Sequence, residues 1–447
     1  MGVKAGRLKF QMSRLMAKWF TSSSRSVGAK LKKTRVLFLR RTTAFGGSEM
    51  VILNLLKAID YERTIVSIAS PVDVFSKLLK DLKLPVRCLP LTAPFAGNFC
   101  RAFFAWISYF VPLRPDKIIL AEGAFRNFPL STALAAFVSA RGNVWMMQLH
   151  TAPERAPEHS ERHFGFIPSL GLYERARFSL TRGVLCVSQG VKDRLMLGYR
   201  YDPEKMSVVY AGVDTKRFSP IPHDIRRALR KNLEIPDEGT VIVSAARLDS
   251  NKRLDRLIHA FGALSFEHPN LWLLLTGDGP LRDELRALAR SVNHRENIRF
   301  LGYVDDVCVI LRLSDIYVLP SDEEGFGLAL AEAMACELVC VATKTVGPSE
   351  IVEDGINGFL TDRTYDGVQN GVGRALRLSS NERKEMGRRA RQRVVHNFRV
   401  EEAAAKGLAF LKIDRTAGNF CDLRPNTSSS SSSDFLAAPQ ATLPDLS

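Results

Sequence analysis

The chain has 447 residues, with 63 Lys and Arg against 47 Asp and Glu and a formal net charge of +16. Hydrophobic residues make up 46% and charged residues 25%, ordinary values for a globular protein, and the length suits two or three domains. Whole-chain disorder, a collagen-like repeat and a small disulfide scaffold are excluded.

The charge is concentrated. No Asp or Glu precedes Glu49, and residues 1–48 hold twelve basic residues, which leaves only +4 for the rest of the chain. So nearly balanced a body lacks the basic footprint of a nucleic-acid-binding protein. The seven cysteines, at 88, 100, 186, 308, 336, 340 and 421, are scattered and form no CxxC pair. They fit a reducing, cytoplasmic compartment and argue against a zinc site or a disulfide framework. The apolar run Ala102–Leu113 is too short to span a bilayer. No signal-peptide apolar region lies near the N-terminus.

In residues 1–33, Leu8, Met12, Leu15, Met16 and Trp19 recur at helical spacing, with Arg7, Arg14 and Lys18 on the other side. Three readings stay open for this arm: a basic amphipathic helix on an anionic membrane surface, an acid-free organellar targeting peptide, or a solvated leader. From Thr34 a β/α pattern begins. Val36–Leu39 reads as a buried strand and Arg40–Gly47 as its loop. Ser48 is expected to cap a helix through Ile59, with Glu49 in its first turn. Further strands are expected at Thr64–Ala69, Lys117–Ala121, Asn143–Gln148 and Val184–Val187. A second series after Asp202-Pro203 has strands at Ser207–Tyr210, Val241–Ala245, Trp272–Thr276, Ile298–Leu301, Ile316–Leu319, Val339–Ala342 and Gly358–Leu360. Alternating strands and helices imply parallel sheets covered on both faces. A charged helix is expected over Asn381–Leu411, with Arg388, Arg389, Arg391 and Arg393 on a solvated face. The Ser-rich stretch beyond Thr416 is expected to be disordered.

The segment Leu319–Thr343, LPSDEEGFGLALAEAMACELVCVAT, carries the strongest chemical signal. A strand ends at Leu319, a polar turn follows, and Gly325-Phe326-Gly327 precede a helix from about Leu328. Glycines ahead of a helix allow close backbone approach, and the free N–H groups there attract an anion such as a phosphate. Glu324 in the turn and Glu332 in the helix can face one ligand from opposite ends. Arg247 and Lys252 follow a buried strand. A planar donor fork and a mobile point charge together suit a diphosphate.

This segment resembles the E-x7-E signature of retaining glycosyltransferases, in particular glycosyltransferase family 4, with the GT-B fold. Other family-like pieces stand in order: Gly46-Gly47-Ser48-Glu49, Tyr210 to Asp214 with Phe218, Arg247-Leu248-Asp249 with Lys252, Gly277-Asp278-Gly279-Pro280, Phe300 to Tyr303, and Gly347 to Val352. The resemblance covers about residues 35–412. It implies two Rossmann-like domains facing across a cleft: residues 34–203 on the acceptor side and 204–395 on the nucleotide-sugar side. A helix over 396–415 crosses back to the first domain, between the 1–33 arm and the 416–447 tail.

In this family Arg247 and Lys252 would bind the donor diphosphate and stabilise the leaving group. Glu324 would lie near the sugar hydroxyls and Glu332 would take the ribose. Backbone amides of Phe326, Gly327 and Leu328 would contact sugar and phosphate, Gly47 would approach the same diphosphate, and Gly277 belongs to the donor-binding set. His150, after the strand Asn143–Gln148, matches a histidine facing the donor sugar. The resemblance implies no metal, so Asp305-Asp306 is not read as a metal pair, and a front-face mechanism with retention. No role is assigned to Glu154 or to the cluster His159–His163. The expected partners are a nucleotide sugar and a glycan or lipid-linked glycan acceptor. The lipid-linked acceptor rests on the basic arm and the aromatics Phe99, Phe103, Phe104, Trp106, Tyr109 and Phe110, which otherwise read as an ordinary core helix. Two alternatives stand beside this: a GT-B nucleotide-sugar epimerase or hydrolase, and a non-catalytic partner subunit. The sequence departs from the family pattern at Cys336-Glu337-Leu338, where a small-x-Pro turn is usual, and at Val346-Gly347-Pro348, where a second glycine is usual.

Overall fold

The computed structural model describes residues 32–41, 46–71, 75–91, 98–122, 128–150 and 170–416. Most of the N-terminal arm, the Ser-rich tail, Glu154 and His159–His163 lie outside the described residues.

Two parallel sheets organise the chain. The first contains β1 (Thr34–Arg40), β2 (Thr64–Ser70), β3 (Val86–Pro90), β4 (Lys117–Glu122), β5 (Val144–Gln148), β6 (Gly183–Cys186) and β7 (Met206–Val208), in the order β3-β2-β1-β4-β5-β6-β7. The second contains β8 (Thr240–Ala245), β9 (Leu271–Thr276), β10 (Ile298–Gly302), β11 (Ile316–Leu319), β12 (Val339–Thr343) and β13 (Phe359–Thr361), in the order β10-β9-β8-β11-β12-β13. The central strands are continuous apolar runs. VWMMQ in β5 and LWLLLT in β9 are buried at every position, as strands covered by helices on both faces must be. In each sheet the strand order reverses once, between β1 and β4 and between β8 and β11. Loops leaving the carboxyl ends of such neighbours diverge and leave a crevice.

Four expectations change. The strand expected at Ser207–Tyr210 in the second series forms instead over Met206–Val208 and pairs in parallel with β6 through Val184↔Met206 and Cys186↔Val208. The division between the sheets therefore falls between β7 and β8. Val86–Pro90, not anticipated from the sequence, forms the edge strand beside β2; its Pro90 is tolerated because an edge strand has an unpaired side. Ser48 does not cap the first helix. That helix runs Gly47–Leu56 from Gly46 with no side-chain cap. Instead the buried Arg40 guanidinium takes the Ser48 hydroxyl at 2.8 Å and the Glu49 carboxylate at 2.7 Å through Nε. The terminal helix is two helices, Ser380–Asn397 and Val400–Leu411, broken where Phe398 and Val400 bond Val213.

That break brings the chain back to the first sheet. Val213 N donates to Phe398 O at 2.8 Å and Val400 N to Val213 O at 3.0 Å, so the two crossings between the sheets run side by side. Gly212 is required there, because a Cβ would lie 2.4 Å from Val400 Cα. The helix Val400–Leu411 then packs on Gly47–Leu56 and β6. Arg388 and Arg389 pair with Glu385 on an exposed face, as expected of solvated charges. Arg391 and Arg393 also reach inward: Arg391 donates to the carbonyls of Thr215, Phe218 and Ala335, and Arg393 donates to that of Glu350 at 3.0 Å while pairing with Glu353 at 3.0 Å.

The aromatics of helix Phe99–Leu113 divide. Trp106 and Phe110 are completely buried and stacked at 5.2 Å, whereas Phe99 and Phe104 are about half exposed, at 46% and 49%. Among the described residues no helix is long and apolar enough to cross a membrane.

Candidate active site

The reversal between β8 and β11 is where the chemistry-bearing loops meet. Asp249 opens the loop after β8. Its carboxylate caps the turn Ser250–Lys252 by accepting from Lys252 N. Asp322 N donates to Asn251 O at 2.8 Å, and Asn251 Nδ2 donates to Glu323 O at 2.9 Å. These bonds stitch the loop after β8 to the loop after β11. They set Lys252 Nζ directly on Glu324 Oε1, which also accepts from Ser321 Oγ at 2.9 Å. Arg247 is about half exposed and stands 3.7 Å from Asp249, so its guanidinium faces the crevice mouth with only a loose ion pair.

The glycine turn follows. Gly327 has φ +92°, a conformation that favours glycine, and it begins helix Leu328–Ala335, whose first amides have no side-chain cap. Uncapped amides with the helix dipole behind them attract negative charge. The Phe326 side chain is buried against Tyr210 and Phe398, with ring centroids at 5.9 and 5.4 Å. It anchors the loop to the crossing between the sheets, and only its backbone is presented. Gly347, in the departure Val346-Gly347-Pro348, is demanded by contact rather than by φ: a Cβ would lie 2.2 Å from Phe326 Cα. Its N–H holds Glu324 O at 3.0 Å. The other departure is accommodated by strain, since Glu337 takes φ +66°.

Gly277 has φ +127°, and a Cβ there would meet Ala246 O at 1.9 Å. Its absent side chain lets the loop after β9 close onto the end of β8, immediately before Arg247. Gly47 of the first sheet faces this group: a Cβ on it would sit 3.7 Å from Leu328 Cβ. His150 follows β5 at the same carboxyl edge of the first sheet, two strands along from β1, and its carbonyl accepts from Gln148 Nε2 at 2.9 Å. The structure thus joins Lys252, Glu324, Gly327, Leu328 and Gly47, with Arg247 alongside.

Glu332 is partly exposed, and none of the described residues hydrogen-bonds its carboxyl. The apolar helix and strand around the inner part of the side chain desolvate the carboxyl and push its pKa up to about 8, opposed by the Arg217 guanidinium. Asp306 pairs with Arg217 at 2.8 Å and caps helix Val307–Leu313 through Cys308 N.

Two groups were not visible in the sequence. Arg177 lies fully buried between Glu122, the last residue of β4, and Glu174. It also donates to Phe128 O at 3.0 Å, and Tyr201 donates to Glu174 at 3.1 Å. Burial alone would lower the Arg177 pKa, but the two carboxylates hold it well above its ordinary value. Glu122 O accepts from Leu149 N at 2.9 Å, so this network underlies the strand end that carries His150. Second, helix Gln189–Tyr199 of the first unit is clamped to the second. The Glu350 carboxylate accepts from Gln189 N at 2.9 Å and Gly190 N at 2.7 Å, and Arg194 pairs with Glu323 at 2.8 Å. Glu323 and Glu350 both flank the Glu324–Gly327 loop, so its shape is tied to the approach of the two units. Glu174 and Arg177 stand at i,i+3 on one helix, but no spacing links Glu122 or Tyr201 to them.

Two parallel α/β units meeting at their switch points over a cationic loop and a glycine turn define the GT-B class. The family model described as Glycosyltransferase Family 4 matches residues 45–217 and that described as Glycosyl transferases group 1 matches residues 225–393; the chain belongs to glycosyltransferase family 4. Relatives include an N-acetyl-alpha-D-glucosaminyl L-malate synthase of Bacillus anthracis, 32% identical over 40% of this chain and 46% of that protein. A D-inositol 3-phosphate glycosyltransferase of Salinispora tropica is 33% identical over 45% of this chain and 44% of that protein. The matched stretch spans about half the length of these curated relatives. The Anabaena protein HepE, solved in complex with UDP and glucose, shares the fold with a TM-score of 0.69 and 22% identity over 85% of this chain and 99% of that one.

Proposed function

We propose that the chain is a retaining, metal-independent glycosyltransferase that moves a sugar from a nucleotide sugar to a glycan or lipid-linked glycan. The observation that carries this reading is the Lys252–Glu324 pair at the β8/β11 reversal, with Arg247 beside it and an uncapped helix start behind it. A donor diphosphate entering there meets two cations and free amides on loops already held together by backbone hydrogen bonds. Lys252 then turns from Glu324 to the diphosphate, and Glu324 gains an acceptor oxygen for a sugar hydroxyl. As the anomeric C–O bond breaks, charge grows on the leaving phosphate, where Arg247 and Lys252 oppose it. The acceptor hydroxyl attacks from the face the phosphate leaves, and the departing phosphate oxygen takes its proton. Glu332 holds the ribose, and His150 approaches the sugar from the first unit. The half-exposed Phe99 and Phe104 and the basic arm support a lipid-linked acceptor at a membrane surface.

The test is a panel of nucleotide sugars screened for thermal stabilisation of the chain and of Lys252→Ala. One nucleotide sugar stabilises the wild type strongly and the variant much less. If none stabilises the wild type, the donor-site assignment is wrong.

A further inference from the structure

A cavity of about 410 Å³ opens at the amino edge of the first sheet, the edge opposite Gly47 and His150. Three cations from three separate places line it: Arg182 just before β6, Lys205 just before β7, and Lys412 at the end of the last helix. Phe137, 37% exposed, supplies aromatic surface, and the nearly buried Trp145 forms part of the floor.

None of the three cations has a carboxylate partner among the described residues. Arg182 places only its Nε, on Gly142 O at 3.1 Å. Lys205 Nζ stands 5.7 Å over the Phe178 ring. Lys412 closes the last helix in a left-handed conformation, φ +53°, which fixes its backbone at the rim. Beneath them Lys117 is buried, with its ammonium donating to the carbonyls of Leu411 and Lys412. Burial, with Lys412 and Arg182 adding to it and Asp414 opposing, lowers the Lys117 pKa to about 8. A buried ammonium thus registers the positive field of this edge. Converging cations of this kind repel one another and stay together at a cost that a multivalent anion relieves. An Arg fork beside two ammonium groups matches phosphate oxygens, and the aromatic surface accepts an organic body.

We propose that this cavity is a second anion-binding site, separate from the donor site, for a phosphate monoester or diphosphate with an organic body. Such chemistry comes from a free phosphorylated metabolite or from the headgroup of an anionic lipid. Occupancy joins Lys412 of the last helix to Arg182 and Lys205 of the first sheet and so fastens the returning chain to the first unit.

The experiment uses the full chain carrying Arg247→Ala and Lys252→Ala, which silences the donor site. Phenyl phosphate and inorganic pyrophosphate are titrated by calorimetry, and vesicles of phosphatidylcholine with and without phosphatidic acid are tested by co-sedimentation. The added pair Arg182→Ala and Lys205→Ala should weaken binding at least about tenfold, with Lys205→Glu alone as a second variant should that pair unfold. Binding of phenyl phosphate that is lost in the variants assigns a free phosphate compound. Binding of phosphatidic acid vesicles alone, lost in the same variants, assigns a lipid headgroup. If neither probe binds the donor-silenced chain, or if the variants bind equally well, the site does not exist.

Discussion

Glu332 offers a quantitative test of how the donor is held. Partial burial pushes its carboxyl up to about 8 in the free protein, so at pH 7 the group is mostly protonated. Two ribose hydroxyls donating to the carboxyl favour the charged form and pull its pKa back toward the ordinary value of about 4.5. Binding a nucleoside diphosphate at pH 7 should then expel between about a half and one proton, and affinity should rise by up to about tenfold per pH unit between pH 5 and 8. The sign for stability follows from the raised folded-state pKa. Its contribution is full below about 4.5 and is lost as pH rises through about 8, so the free protein weakens over that window. The assay is calorimetry with UDP or GDP in two buffers of different ionisation enthalpy, on the wild type and on Glu332→Gln. The variant subtracts any proton carried by the diphosphate itself. Tight binding with no proton release, or the same release from Glu332→Gln, would refute a ribose contact at this carboxyl.

Glu350→Ala removes the carboxylate that accepts from Gln189 and Gly190 across the cleft. Charged hydrogen bonds of this kind contribute about 1.5–3 kcal/mol, so steady-state kinetics should show transfer efficiency reduced by about ten- to a hundredfold. An unchanged efficiency would mean that the units close without this contact. Arg177→Ala strands the buried carboxylates of Glu122 and Glu174. Chemical denaturation should show a loss of about 3–5 kcal/mol, and Arg177→Met combined with Glu122→Gln and Glu174→Gln should recover much of it.

Much of the donor loop was legible because its chemistry is local. Gly325 to Glu332 is one continuous stretch after an apolar strand, and its glycines and carboxylates sit at fixed offsets. Arg247 and Lys252 likewise share one short loop. The apolar runs of the central strands were equally plain, being long, uninterrupted and bounded by turn residues. What escaped depends on partners far apart in the chain. Met206–Val208 is three residues long, and only its pairing with β6 places it in the first sheet. Ser48 has the residue type of a cap but meets the buried Arg40 instead. Arg391 and Arg393 look like their exposed neighbours in sequence, yet they satisfy carbonyls at the junction of the units. The roles are what the family resemblance implies; the contacts between distant residues come only from the folded chain.

On the proposed reading, Arg247 and Lys252 meet a donor diphosphate. Compare the affinity of the best-binding nucleoside diphosphate with that of its parent nucleoside, for the wild type and for the double variant Arg247→Met and Lys252→Met. The diphosphate should add at least about a hundredfold in the wild type, equivalent to about 2.7 kcal/mol, and almost nothing in the double variant, while nucleoside binding is unchanged. A diphosphate gain that survives in the double variant would contradict the account.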